Sequence, residues 1–189
     1  MKHIAIFASG KGSNAQKIQE HFRYHSEIKL SLIICNNPKA GIIELAAEWK
    51  TPVLMINKDD QKNPERLLSE LHKNRIDWIV LAGYLWLIPE SLINEFKNRI
   101  INIHPALLPK YGGKGMYGMN VHEAVKQANE IETGITIHLI DKEFDKGEMV
   151  FQAKVLLNEN DTPDSIAQKV HQLEHQHFAN VIEQIINGK

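Results

Sequence analysis

Cysteine is nearly missing from this chain of 189 residues, and Cys35 is the only one. A lone cysteine makes no intramolecular disulfide and no thiolate zinc cluster. It lies in an apolar run at 30–35, where a buried, inert thiol is expected rather than a reactive one. An excess of one charge is missing too, with 22 Lys and Arg against 23 Asp and Glu. A net charge of −1 gives no electrostatic footprint for nucleic acid or for an acidic membrane surface. No apolar stretch approaches the roughly 18 residues of a membrane span, and the first residues read as a strand rather than a signal peptide. A cytoplasmic protein is expected. What is present is ordinary for a folded chain, 43% hydrophobic and 24% charged residues. The length suits one domain with a real core.

Along the chain the pattern is strand, then helix, repeated. Short apolar runs at 3–8, 30–35, 52–56, 77–83 and 100–104 read as strands buried on both faces. Between them 14–24, 41–50, 64–74 and 85–96 read as helices, the third with Pro64 near its first turn. Single helices between strands imply a mostly parallel, twisted sheet with helices on both faces. After a long loop and a helix at 121–128 the rhythm changes. Runs at 134–140 and 149–155 follow one another without a helix, which predicts antiparallel strands added at the C-terminal edge. A helix over 163–186 closes the pattern. With neither repeat nor linker, residues 1–189 read as a single α/β domain.

Ligands of such sheets gather beyond the carboxyl ends of the strands, and the chemistry-bearing residues fall there. The strand at 100–104 ends in Asn102-Ile103-His104-Pro105, followed by Ala106-Leu107-Leu108-Pro109. Alternation puts Asn102 and His104 on one face, roughly 7 Å apart, and the prolines stop the ladder. An amide donor beside an imidazole suits acyl or formyl transfer, the amide meeting an oxyanion and the imidazole moving a proton. A polar edge strand facing water accounts for the same residues.

Three further stretches stand near it. Ser9-Gly10-Lys11-Gly12-Ser13-Asn14 follows the first strand, and its glycines permit a tight turn ahead of helix N–H groups that suit a phosphate. It is neither a G-x-G-x-x-G nor a Walker loop, and a tight turn with an N-cap serine explains it equally well. Leu81-Ala82-Gly83-Tyr84-Leu85-Trp86-Leu87-Ile88-Pro89 can line a slot for a flat aromatic ligand, or serve as core under a helix. Asp141, Glu143 and Asp145 each offer a carboxylate to hold His104, and spacing does not choose among them. An acidic hairpin turn is the plainer account of all three. His171, His175 and His177 read as a solvated helix face rather than a zinc site.

The chain resembles the folate-dependent phosphoribosylglycinamide formyltransferase family nearly end to end. The matching residues are Ser9-Gly10-x-Gly12-Ser13-Asn14, Leu81-Ala82-Gly83-Tyr84, Asn102-Ile103-His104-Pro105 with Leu107-Leu108-Pro109, Gly134-x-x-x-His138, Asp145-x-Gly147 and Glu174-His175. The resemblance implies a single-domain formyltransferase fold, glycinamide ribonucleotide as acceptor and 10-formyltetrahydrofolate as formyl donor, without a metal. It implies that the substrate phosphate lies on Gly12, Ser13 and Asn14, with Glu174 at the ribose. It sets the folate head group against Leu85, Trp86, Leu87 and Ile88, and against Asn102, Ile140 and Asp141. Asn102, His104 and Asp145 would be the catalytic set. Partners would be small molecules, with neither nucleic acid nor membrane, and the chain a monomer or homodimer.

The sequence departs from the family pattern in a longer loop at 111–122, whose four glycines suggest a flap with His122 in it. Trp86 replaces a smaller or basic residue, and His171 stands where many members carry Gln near the phosphate. Other readings are a 10-formyltetrahydrofolate hydrolase, a formyltransferase for another amine or for initiator methionyl-tRNA, and a non-catalytic nucleotide or folate binder. The tRNA enzymes carry a second, basic domain and the hydrolases an N-terminal regulatory one, and this sequence has neither pattern.

Overall fold

The computed structural model describes residues 1–141 and 147–188. The strands among them are β1 (Lys2–Ala8), β2 (Ile28–Cys35), β3 (Val53–Met55), β4 (Trp78–Leu81), β5 (Ile100–His104), β6 (Glu132–Leu139) and β7 (Met149–Leu156). They form one sheet in the order β3-β2-β1-β4-β5-β6-β7. The first five are parallel to one another, β6 pairs antiparallel with β5, and β7 pairs antiparallel with β6. The helices are α1 (Ser13–Phe22), α2 (Ile42–Trp49), α3 (Lys58–Lys62), α4 (Glu65–Lys73), α5 (Glu90–Glu95), α6 (Met119–Gln127) and α7 (Pro163–Ile186). This is the α/β class the alternating pattern implies.

The side chains of β1 show why its run is continuously apolar. Ile4, Ile6 and Ala8 enter a core layer with Ile18 of α1, Ile42 of α2, Val125 of α6 and Phe178 of α7. Ala5 and Phe7 enter the opposite layer with Leu67 and Leu71 of α4 and Leu92 of α5. A strand covered on both faces has no solvent side to make polar. α7 starts where the sequence says it must. Thr162 accepts from the Ser165 N–H, Ser165 returns a bond to the Thr162 N–H, and Pro163 occupies the first helical position.

Two segments differ from expectation. Residues 85–88, expected as the start of a helix, are irregular, and α5 begins only at Glu90. Pro89 lacks an N–H and disfavours helical geometry in the residue before it. α3 is the second difference, since it has no apolar stripe to announce it. Its start rests on a reciprocal cap, with Asn57 accepting from the Asp59 and Asp60 N–H groups and Asp60 accepting from the Asn57 N–H.

The topology also says where a ligand should sit. From β1 the chain steps outward to β2 and β3, then returns to place β4 and β5 on the other side of β1. The crevice beyond the carboxyl ends of β1 and β4 is therefore a switch point. Among the described residues no helix is long and apolar enough to cross a membrane.

Candidate active site

The turn from β1 into α1 depends on Gly12. Its φ of +84° is left-handed, and an added Cβ would come within 2.9 Å of Ile42 Cδ1 and 3.2 Å of Ile42 Cα. Both conformation and space demand glycine. Gly12 is itself the N-cap, with no side-chain cap bond. The N-cap serine reading therefore fails, and Ser13 is the first helical residue. Without a capping side chain, the first-turn N–H groups suit an anion. One residue on, Asn14 Nδ2 donates to Glu174 Oε2 of α7 at 3.0 Å. His171 Nδ1 donates to the same oxygen at 2.6 Å. Glu174 is only 5% exposed, and a carboxylate so buried needs such donors. Its hydrogen bond holds the His171 pKa above the ordinary imidazole value.

The end of β5 carries the second polar group. Asn102 faces His138 of β6 in the antiparallel register, with Asn102 Nδ2 3.0 Å from His138 Nε2. His138 Nδ1 faces the Leu139 carbonyl at 3.3 Å, so Nδ1 carries the proton and Nε2 accepts from the amide. A register shift between Ile137 and His138 interrupts the β6–β7 pairing at this point, and such bulges re-aim side chains. His104, 4% exposed, donates from Nε2 to the Tyr111 carbonyl at 2.7 Å. The loop leading to that carbonyl is held in place from β6 and β7. Thr136 Oγ1 accepts from the Leu108 N–H and donates to the Ala106 carbonyl, while Gln152 Nε2 donates to the Leu108 carbonyl and to Thr136 Oγ1.

These groups share one cavity of about 470 Å³, lined by Asn14, Asn102, His104 and Glu174. The four residues 85–88 line it as well, and so do Ile140 and Asp141. Leu85 and Leu87 are 54% and 47% exposed, so the reading of this run as core under a helix fails for them. Ile88 alone is buried. The glycine-rich loop also reaches the cavity through residues 113–118, and α6 through Met119 at its start. Gly113, Gly115 and Gly118 all have positive φ. Gly12 and Ser13 do not line the cavity. Asp145 and Glu143, named from the sequence as carboxylate partners of His104, lie outside the described residues.

Several residues of the site escaped the sequence reading. His138 stood in a motif without a role, because the cross-strand pairing with Asn102 is invisible in one strand. Thr136 and Gln152 carried no signal. Burial lowers the pKa of His122, which also lines the cavity. Tyr111 contributes its carbonyl to the site and sends its hydroxyl to Glu130. Among the described residues no group of three or more His, Cys, Asp or Glu side chains is placed to hold a metal ion. His171 and His175 stack on each other, while His177 lies against Phe151.

Comparison with known proteins agrees with this fold. The Formyl transferase family matches residues 2–182. A chloroplastic phosphoribosylglycinamide formyltransferase of Arabidopsis thaliana is 40% identical over 187 residues, covering 96% of this chain and 64% of that protein. The chain likewise spans 60% of the corresponding Vigna unguiculata protein, so it is under two thirds the length of these plant relatives. A phosphoribosylglycinamide formyltransferase of Bacillus subtilis is 33% identical over 191 residues, 98% of this chain and 95% of its own. Among solved structures, glycinamide ribonucleotide transformylase 1 of Geobacillus kaustophilus superposes with a TM-score of 0.88 at 33% identity, covering 96% of this chain and 97% of that one. With a family match across nearly all of its length, the chain belongs to the formyl transferase family.

Proposed function

We propose that this protein transfers a formyl group from 10-formyltetrahydrofolate to the amine of glycinamide ribonucleotide, a step of purine synthesis. One observation carries the reading. A polar strand end, Asn14 of the first turn of α1 with the buried carboxylate of Glu174, and an apolar wall open onto the same cavity. The phosphate is assigned to the first-turn N–H groups after Gly12, at Ser13 and Asn14, and the ribose to Glu174. The flat head group of the folate is assigned to residues 85–88 with Ile140 and Asp141, whose exposed leucines such a ring would cover. Attack of the amine on the formyl carbon places negative charge on the formyl oxygen. Asn102 uses one Nδ2 hydrogen on His138, and the other is left for that oxygen. His104, in its protonated form, is the second donor through Nδ1–H, its Nε2–H held by the Tyr111 carbonyl. Asp145 is assigned the relay that carries the amine proton to the leaving folate nitrogen. The same reading takes residues 1–189 as one formyltransferase domain, placed in the cytoplasm as a monomer or homodimer, with no metal in the chemistry.

The test is a formyl-transfer assay with 10-formyltetrahydrofolate, run with and without glycinamide ribonucleotide. Tetrahydrofolate release that requires the ribonucleotide is expected. Release without it would replace the reading by a hydrolase, and no release would replace it by another acceptor or a binding role.

A further inference from the structure

Three helices meet at the polar corner of the cavity, α1 through Asn14, α6 through His122 and α7 through His171 and Glu174. Most polar atoms there are satisfied. Asn14 Nδ2 and His171 Nδ1 both bond Glu174 Oε2. Two atoms are not: Asn14 Oδ1 and His122 Nδ1 are buried and have no hydrogen-bond partner among the described residues. His122 is 6% exposed, and the charges of Glu174, His171 and His104 all act on it. Folded proteins pair nearly all such atoms. Two orphans on cavity-lining residues around one carboxylate mark a place where a ligand completes the bonding.

We propose that His122 is a further substrate-positioning residue whose Nδ1 hydrogen-bonds a ribose hydroxyl of the acceptor, beside Asn14 Oδ1. This deepens the reading above and rests on it. The chemistry favours a hydroxyl over the phosphate. Asn14 Oδ1 is an acceptor, and an ionised phosphate has few or no protons to offer it. A hydroxyl both donates and accepts, so a single one gives its proton to the amide oxygen and accepts from the His122 Nδ1–H of the Nδ1-protonated neutral tautomer. Burial keeps His122 toward its neutral form, which suits a hydroxyl better than an anion. The cation for the phosphate is available from His171 instead.

The experiment titrates the full chain calorimetrically with glycinamide ribonucleotide and compares His122→Asn with His122→Gln. An Asn amide reaches the place of Nδ1, whereas a Gln amide reaches that of Nε2. The Gln variant is expected to bind about tenfold more weakly, the loss of one hydrogen bond, and the Asn variant to stay within about threefold of wild type. The KM for the formyl donor and the melting temperature should stay near wild type in both. Equal affinity of the Gln variant and the wild type overturns the inference while leaving the transferase reading intact. So does a donor KM that rises as far as the ribonucleotide affinity falls, since that marks a general loss of structure. A wild-type chain that does not bind the ribonucleotide overturns both.

Discussion

On the polar side of the cavity Asn14, Asn102, His104 and Glu174 each have a protein partner within hydrogen-bond distance. On the apolar side Leu85 and Leu87 stand about half exposed on an irregular stretch, and Tyr117 of the loop and Met119 at the start of α6 are exposed as well. The polar side is set by sheet register and helix packing, and its geometry exists before any ligand arrives. That is what donors aimed at a developing charge require, because they do not have to reorganise during reaction. The apolar side has surface still to bury, which a flat ligand supplies. Under the proposed function, one wall would serve the chemistry and the other the affinity.

Substitutions can break that division. The largest expected effect is Asn102→Ala, which should lower kcat about 10²- to 10³-fold, as removal of an oxyanion donor does elsewhere, with little change in the KM for the formyl donor. Steady-state kinetics measures both constants, and a donor KM rising as steeply as kcat falls would blur the two walls into one. Leu87→Ala should do the reverse. A half-exposed side chain contributes little to folding, so the melting temperature should hold. The donor KM should rise roughly 3- to 10-fold, because the shortened side chain leaves less apolar surface for the ring to cover. A drop in kcat alone would contradict it.

The smallest effect sharpens the polar side itself. Glu174 raises the pKa of His171, so their pairing contributes fully below the ordinary imidazole value of about 6.5. That contribution is lost as pH rises through the raised value. The difference in melting temperature between wild type and His171→Gln should therefore shrink from pH 6 to pH 9. His171 is partly exposed, so the change should be modest. A difference that does not vary with pH would show that the imidazole charge contributes nothing to this pair.

The two walls also differed in how far the sequence revealed them. The parallel sheet was legible because strands covered on both faces are apolar throughout, as β1 is. Asn102 and His104 were legible because Pro105 marks the end of their strand and alternation assigns their face. Residues 85–88 were misread because a dense apolar run looks alike in a helix and in an irregular wall. Pro89 was the signal that separates the two. Glu174 came only from family resemblance, since nothing local ties it to Asn14, 160 positions away. His138 was hidden for the same physical reason. Its importance lies in pairing across strands, and one chain read in order contains no register.

The bond between Asn14 and Glu174 also bears on how the protein is made. It joins the first helix of the chain to α7, so the corner that would hold a sugar and its phosphate has no carboxylate until residue 174 has been synthesised. A nascent chain that has completed β1 to β5 already holds the strand bearing Asn102 and His104, yet it lacks that part of the cavity. Pairings this far apart in sequence close late, because the chain must first give up the entropy of a long loop. A ribosome that stalls before residue 174 therefore carries a polypeptide that has Asn102 and His104 but not the carboxylate that Asn14 bonds.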